Sequence, residues 1–269
     1  MTYGTTLDAM SNGRSVLVRD GDGVVAVMHT IDFDTIADTG FQQAYPREAA
    51  VLAGVDNARI ACPRSYVVAA GGWIVASVRG YVAGVDLATM LTGYPRGMDV
   101  QTAAVIARDV LIGLAALHRL GVAHHTVGAE RVMVGVDGTC VLIEVGIAPR
   151  VIGRGWEGDV AADLRAVAEL FAACLTGRRA PTREPAHREQ SATRPAVGAA
   201  LVDYLCTLLT GVGLTHIPAE DRAFSVLVEL ESAVAEHFEA GWDERSRDRL
   251  AAQVAAMPPA ELPMVGSAA

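Results

Sequence analysis

The sequence predicts an α+β protein of two lobes, an antiparallel sheet with one helix followed by a larger, mainly helical part. Three observations predict it. Short apolar runs separated by glycine turns fill residues 1–80, apolar residues recur at helical spacing from about Asp86 onward, and 269 residues with 51% hydrophobic content can bury a substantial core.

In chain order, SVLVRD (15–20) and VVAVMHTI (24–31) flank a GDG turn and read as paired strands. A helix is expected to start near Pro46, a favourable first helical residue, and to run through REAAVLAGV. SYVVAAGGWIVASV (65–78) carries Gly71-Gly72 at its centre and reads as a hairpin, too short to span a bilayer. VQTAAVIARDVLIGLAALHRLG (100–121) sets Ile106, Val110, Leu114 and Leu117 on one stripe and ends at a glycine, the pattern of a long amphipathic helix. Asp137-Gly138 marks another hairpin turn, and VAADLRAVAELFAACLTG (160–177) is a second long helix. RRAPTREPAHREQSATRP (178–195) lacks apolar period and reads as a loop, with Thr182, Ser191 and Thr193 as hydroxyls open to modification. Three further helices follow, the last short, highly charged and expected to pack loosely as an appendage over 241–269.

Net charge is −9 with pI near 5.2, so the positive surface that phosphate backbones demand is missing and nucleic acid is not an expected partner. All 22 basic residues are Arg, because the chain contains no Lys. Cys62, Cys140, Cys174 and Cys206 are widely spaced in apolar surroundings, which argues for free thiols in a reducing compartment. With no secretory signal and no membrane span read from the sequence, a cytoplasmic location is expected.

Two stretches carry a family resemblance. LHRLGVAHHTVGAERVMVGVDGTCVLIEVGIA (117–148) tracks LHxxGVVHRDLKPxNVLV and GxVKLIDFGIA, and DLRAVAELFAACLTGRRAP (163–181) tracks DLYSLGVLLYELLTGRPPF. The chain thus resembles the bacterial members of the eukaryotic-type Ser/Thr protein kinase family, over roughly residues 3–238. The resemblance implies a protein-kinase-like domain over 1–240, with an N-lobe at 1–80, a C-lobe at 81–240 and a separate helix and tail at 241–269.

That family transfers phosphate by positioning the nucleotide and neutralising its phosphates, with a glycine-rich loop, a strand Lys paired to a helix Glu, a loop Asp as base, and an Asn and an Asp on magnesium. In LDAMSNGRSVLV (7–18), Gly13 alone matches the glycine-rich loop, with Asp8 and Met10 where phosphate must approach the backbone. Val25, Ala26, Val27 and Met28 align with VAxK, so Met28 takes the Lys position, although His29 or an Arg could approach. Glu48 corresponds to the helix Glu and is expected to face solvent or to have found an Arg, since an unpaired buried carboxylate is costly. Thr126 replaces the base, Arg131 the metal-binding Asn, and Glu144-Val145-Gly146 the Asp-Phe-Gly triplet. Threonine takes no proton near neutral pH and a guanidinium offers magnesium no lone pair, so an Arg131–Glu144 ion pair is expected in the metal's place.

The segment from Gly146 to Asp163 is short and holds no Ser, Thr or Tyr; Glu157 within it is the candidate partner of Arg222. Leu52, His124, Gly146, Asp163 and Arg222 keep the structural positions, Asp163 as anchor of the catalytic-loop backbone. Loss of the chemical set with retention of the structural set implies a catalytically inactive pseudokinase resembling those of actinobacteria, a scaffold or regulator that binds a protein partner without ATP or magnesium. The alternatives are a divergent active Ser/Thr kinase or ATP-binding transferase, in which Glu144 touches a cation, and a nucleotide or small-molecule sensor. A metal site on His124 and His125 lacks a third ligand nearby.

Overall fold

Period-two alternation organises the first lobe. Five antiparallel strands, β1 (Thr2–Met10), β2 (Gly13–Arg19), β3 (Val25–Ile31), β4 (Pro63–Val68) and β5 (Ile74–Gly80), form one sheet in the order β1-β2-β3-β5-β4. The computed structural model of the chain describes residues 2–10, 13–19, 25–148, 154–177 and 199–257; the GDG turn, residues 178–198 and the tail from 258 lie outside them, as do the side chains of Asp8 and Met10. Register pairs Ser15 with His29, Leu17 with Val27, Val27 with Arg79 and His29 with Ser77. Side chains two apart share a face, so Ser15, Leu17, Val27, His29, Ser77 and Arg79 lie together, and all are buried. Ala26 and Met28 fall on the other face and are half-buried. The Gly71-Gly72 turn closes β4 on β5, with Ala69 N–H donating to Trp73 O at 2.8 Å.

The helical part of this lobe differs from expectation. A short helix, α1 (Phe33–Ala37), precedes α2 (Thr39–Leu52), which starts seven residues before Pro46. Asp38 caps it, its carboxylate accepting from Phe41 N–H at 2.6 Å. Pro46 therefore sits inside the helix and deprives Gln42 O of its usual donor. The helix persists because Phe41, Tyr45, Ala49 and Leu52 form a buried stripe, with Phe41 and Tyr45 stacked at 4.6 Å and Tyr66 OH donating to Ala49 O.

The second lobe begins with β6 (Gly84–Asp86) and α3 (Leu87–Thr92) and is centred on α4 (Val100–Arg119). Asp99 caps α4 through Thr102 N–H at 3.0 Å. Helix α4 is long and apolar enough to cross a membrane, yet its apolar side chains are buried all round in the centre of the lobe. After it come β7 (Val132–Gly135) and β8 (Cys140–Leu142), which form a sheet with β6, then α5 (Trp156–Thr176), α6 (Ala199–Leu209), α7 (Ala219–His237) and α8 (Trp242–Ala256). Gly177 ends α5 in the left-handed conformation, with φ 65°. The four cysteines are free thiols; burial pushes Cys62 and Cys174 up to about 12, so neither is a thiolate at neutral pH.

Helix α8 is no loose appendage. Arg247 grips the fully buried Asp109 of α4 with two hydrogen bonds of 2.7 Å, and Arg59 Nε lies 3.0 Å from the same carboxylate. Arg249 reaches Asp99 at 2.9 Å, and Arg108 both bonds Asp243 at 3.1 Å and lies over the Trp242 ring. Gly138, with φ 75°, tucks the β7–β8 turn against α8 so closely that a Cβ would collide with Arg247 O. Charged patterning makes α8 look peripheral, but Arg247, Arg249 and Asp243 meet partners on the body of the lobe.

Candidate active site between the lobes

The floor of the cleft is built on one buried carboxylate. Asp163 of α5 is 1% exposed and accepts from the backbone N–H groups of His124 at 2.8 Å and His125 at 2.9 Å, with His118 Nε2 at 3.0 Å. Burial pushes its pKa up, but the His118 hydrogen bond and the charges and N–H groups around it outweigh that and hold the carboxyl below its ordinary value. It thereby fixes residues 124–126 from behind. His124 packs fully buried, its Nε2 3.1 Å from Ile143 O; burial, opposed by Asp163 and reinforced by Arg131, lowers it to about 4, so the ring is neutral and donates to that carbonyl. His125 takes a left-handed backbone, φ 69°, and directs Nδ1 toward Asp159 Oδ1 at 3.7 Å.

Thr126, at the position of the base, has its Oγ1 buried without a hydrogen-bond partner among the described residues. The hydroxyl cannot replace a carboxylate there. Arg131, in the 3-10 turn Ala129–Arg131, is buried and holds Nε 3.4 Å from Glu144 Oε2. Glu144 is also left-handed, φ 62°, and only 3% exposed.

The second lobe meets the first at Glu144. His29 Nδ1 lies 3.2 Å from Glu144 Oε1, and Ser15 Oγ lies 3.0 Å from His29 Nδ1 and donates to the same carboxylate oxygen at 3.5 Å. Burial would raise the Glu144 carboxyl, but the His29 hydrogen bond and the charges of His29, Arg131 and Arg79 hold it below its ordinary value, so it stays ionised. Arg79 donates Nη1 to Gly80 O at 3.2 Å, while its Nε is buried with no hydrogen-bond partner among the described residues. Burial, opposed by Glu144, lowers Arg79 to about 10, and it remains a cation.

This geometry moves the strand position by one residue. Met28, aligned in the sequence with the strand Lys, faces away, and His29 occupies the face that meets the acid; likewise Val27 rather than Ala26 shares that face with Arg79. A shift of one in a period-two strand exchanges the two faces, and an alternation of apolar residues on both sides hides which is which. Sequence reasoning missed Arg79 and Ser15 altogether. Their only signal is a charge and a hydroxyl on strands whose neighbours are apolar.

Glu48 is half-buried, and a Cβ placed on Gly146 would sit 3.2 Å from Glu48 Oε2 and 3.4 Å from the Tyr45 ring. Gly146 is needed twice over, for that approach and for its φ of 72°. Leu52 is fully buried in the main hydrophobic core. Arg222 donates Nε to Leu214 O and Ile217 O at 3.1 and 3.0 Å, and Nη2 to Glu157 at 3.2 Å. The stretch 149–153 of the short segment after Gly146 and the modifiable hydroxyls of 178–195 lie outside the described residues.

Magnesium does not fit this set. Glu144 gives one oxygen to His29 and Ser15 and faces a guanidinium with the other, and Arg131 offers a cation repulsion instead of a lone pair. Among the described residues, no group of three or more His, Cys, Asp or Glu is placed to hold a metal.

Comparison with known proteins bears on identity. No protein-family model matches the chain. A stretch of 117 residues is 32% identical to the serine/threonine-protein kinase PkaB of Streptomyces coelicolor, covering 44% of this chain and 27% of that protein, so the chain matches about a quarter of the relative's length. Among solved structures, the kinase domain of PknI from Mycobacterium tuberculosis matches with TM-score 0.66 and 20% identity over 85% of this chain and 96% of that one. A double mutant of the same domain matches with TM-score 0.68 and 21% identity over 88% and 97%.

These findings correct the expectation of a non-enzyme: the relative matched over 117 residues is a named serine/threonine-protein kinase. In architecture the chain has the two-lobed α+β fold of bacterial protein kinase domains, and over one stretch its sequence is homologous to a serine/threonine protein kinase.

Proposed function

We propose that this chain is a divergent nucleotide-dependent phosphotransferase, a kinase-type enzyme that takes ATP into the cleft between its lobes and passes phosphate to a hydroxyl of a protein partner. The observation that carries the reading is the meeting of Glu144 and Arg131 from one lobe with His29 and Arg79 from the other. An acid set among two guanidinium groups and an imidazole where two lobes meet is an arrangement for a polyanionic ligand. Phosphoryl transfer asks mainly for positioning and neutralisation, both of which cationic side chains supply. It asks less for covalent chemistry, so Thr126 in place of a base slows the reaction without removing its principle. The loss of a positioned general base predicts a rate about 10²–10⁴-fold below that of a site with one.

The test is incubation of the chain with γ-labelled ATP and a generic protein acceptor, with magnesium, manganese or EDTA. Slow labelling that disappears in Glu144→Gln, with the variant's fold checked by circular dichroism, supports the reading. Labelling no greater than that of Glu144→Gln in all three conditions overturns it.

A further inference from the structure

We propose that this cleft recognises the phosphates of a nucleoside triphosphate without a divalent metal, with the Arg131 guanidinium as the phosphate-binding cation, the His29 ring as a hydrogen-bonding partner and Glu144 as the group that orients both. The inference rests on the proposed function, since it names how the same cleft holds its nucleotide. It starts from the misfit with magnesium. The chain has no Lys, so no side-chain ammonium can neutralise phosphate anywhere in it. The carboxylate that would face a metal is instead shared between Arg131 at 3.4 Å and His29 at 3.2 Å, contributed by opposite lobes. Both are buried, Arg131 at 7% exposure and His29 at 1%, so their contact with the acid is no chance meeting of solvated surface side chains.

Arg79 completes the arrangement. It is 7% exposed, shares the sheet face of Val27 and His29, and carries a buried Nε with no hydrogen-bond partner among the described residues. Lying within electrostatic reach of Glu144, it neutralises that acid from the β5 side. The guanidiniums of Arg131 and Arg79 both act on the single Glu144 carboxylate, and the planar fork of a guanidinium matches phosphate oxygens in pairs. Glu48 Oε2, close to Gly146, is an acid on the α2 side of this region.

Calorimetric titration tests this with ATP and with adenosine, each in EDTA and in magnesium. The parent chain is expected to bind ATP with affinities that agree within about twofold in the two conditions. Arg131→Asn removes the cation and supplies a neutral oxygen beside Glu144. It should weaken ATP in EDTA by about tenfold or more, leave adenosine unchanged, and recover ATP affinity when magnesium is added. His29→Gln should weaken ATP in both conditions and adenosine in neither; it serves if Arg131→Asn no longer binds adenosine and so has lost its fold. A parent that binds ATP only with magnesium overturns this inference and leaves the phosphotransferase reading standing. An Arg131→Asn chain that binds adenosine and keeps full ATP affinity in EDTA also overturns it. A parent that binds no nucleotide in either condition overturns both.

Discussion

Replacing Arg247 with Met tests whether α8 is part of the folding unit. Asp109 is 0% exposed and its oxygens receive Arg247 Nη1 and Nη2 at 2.7 Å each, Cys140 N–H at 3.0 Å and Arg59 Nε at 3.0 Å. Methionine keeps the apolar stem and removes both charge-assisted bonds. Removing one partner of a buried ion pair costs about 3–5 kcal/mol. Two facts reduce the figure here: Arg247 is 17% exposed and Arg59 remains. We therefore expect a loss of about 2–4 kcal/mol in urea unfolding, equivalent to a melting temperature lower by roughly 4–16 °C for a chain of this size. The same substitution in an Asp109→Asn background should cost at least about 1.5 kcal/mol less, because the pair is already broken. A loss below about 0.5 kcal/mol in the parent background, or equal losses in both, would refute the clamp. In that case α8 would be held by Trp242 and Leu250 packing alone.

Three other substitutions probe the site and its supports. His124, lowered from 6.5 to about 4 by burial, stays neutral in the fold where the unfolded chain's imidazole is charged. Its contribution is therefore fully present above pH 6.5 and is lost as pH falls toward 4, about 3 kcal/mol in all by linkage; His124→Gln should flatten the stability profile in that window, measured by denaturant unfolding at successive pH values. Arg222→Ala, which removes the Nε–H shared by the carbonyls of Leu214 and Ile217 while Leu214 O keeps the Ile217 N–H, should cost about 1–2 kcal/mol. Glu157→Gln, at a side chain 77% exposed, should cost under about 0.5 kcal/mol in the same assay. Comparable losses from the two would place the stabilisation in the ion pair rather than in the buried carbonyl contacts.

Much of this protein can be read along the chain because its periodicities are local. Stripes such as Ile106, Val110, Leu114 and Leu117 place α4 in the core whatever surrounds it, and Gly71-Gly72 dictates a hairpin. The motif around His124 and Asp163 also survives in one dimension, since each residue keeps a fixed distance from a recognisable helix or turn. The helix start at Thr39 is legible in Asp38 but is masked by Pro46, whose penalty the Phe41, Tyr45 and Leu52 packing offsets. The face of β3 is not legible. Val27 and Met28 are both apolar, and only pairing with β2 and β5 decides that His29, rather than Met28, meets Glu144. Nor can chain order show that Ser15, His29, Arg79 and Arg131 converge on one carboxylate, because they arrive from separate strands and a turn on two lobes. Local pattern is thus enough for the two-lobed layout and for the losses at Thr126 and Arg131. What fills the site emerges with the fold, because burial and charge there belong to residues brought together from distant parts of the chain.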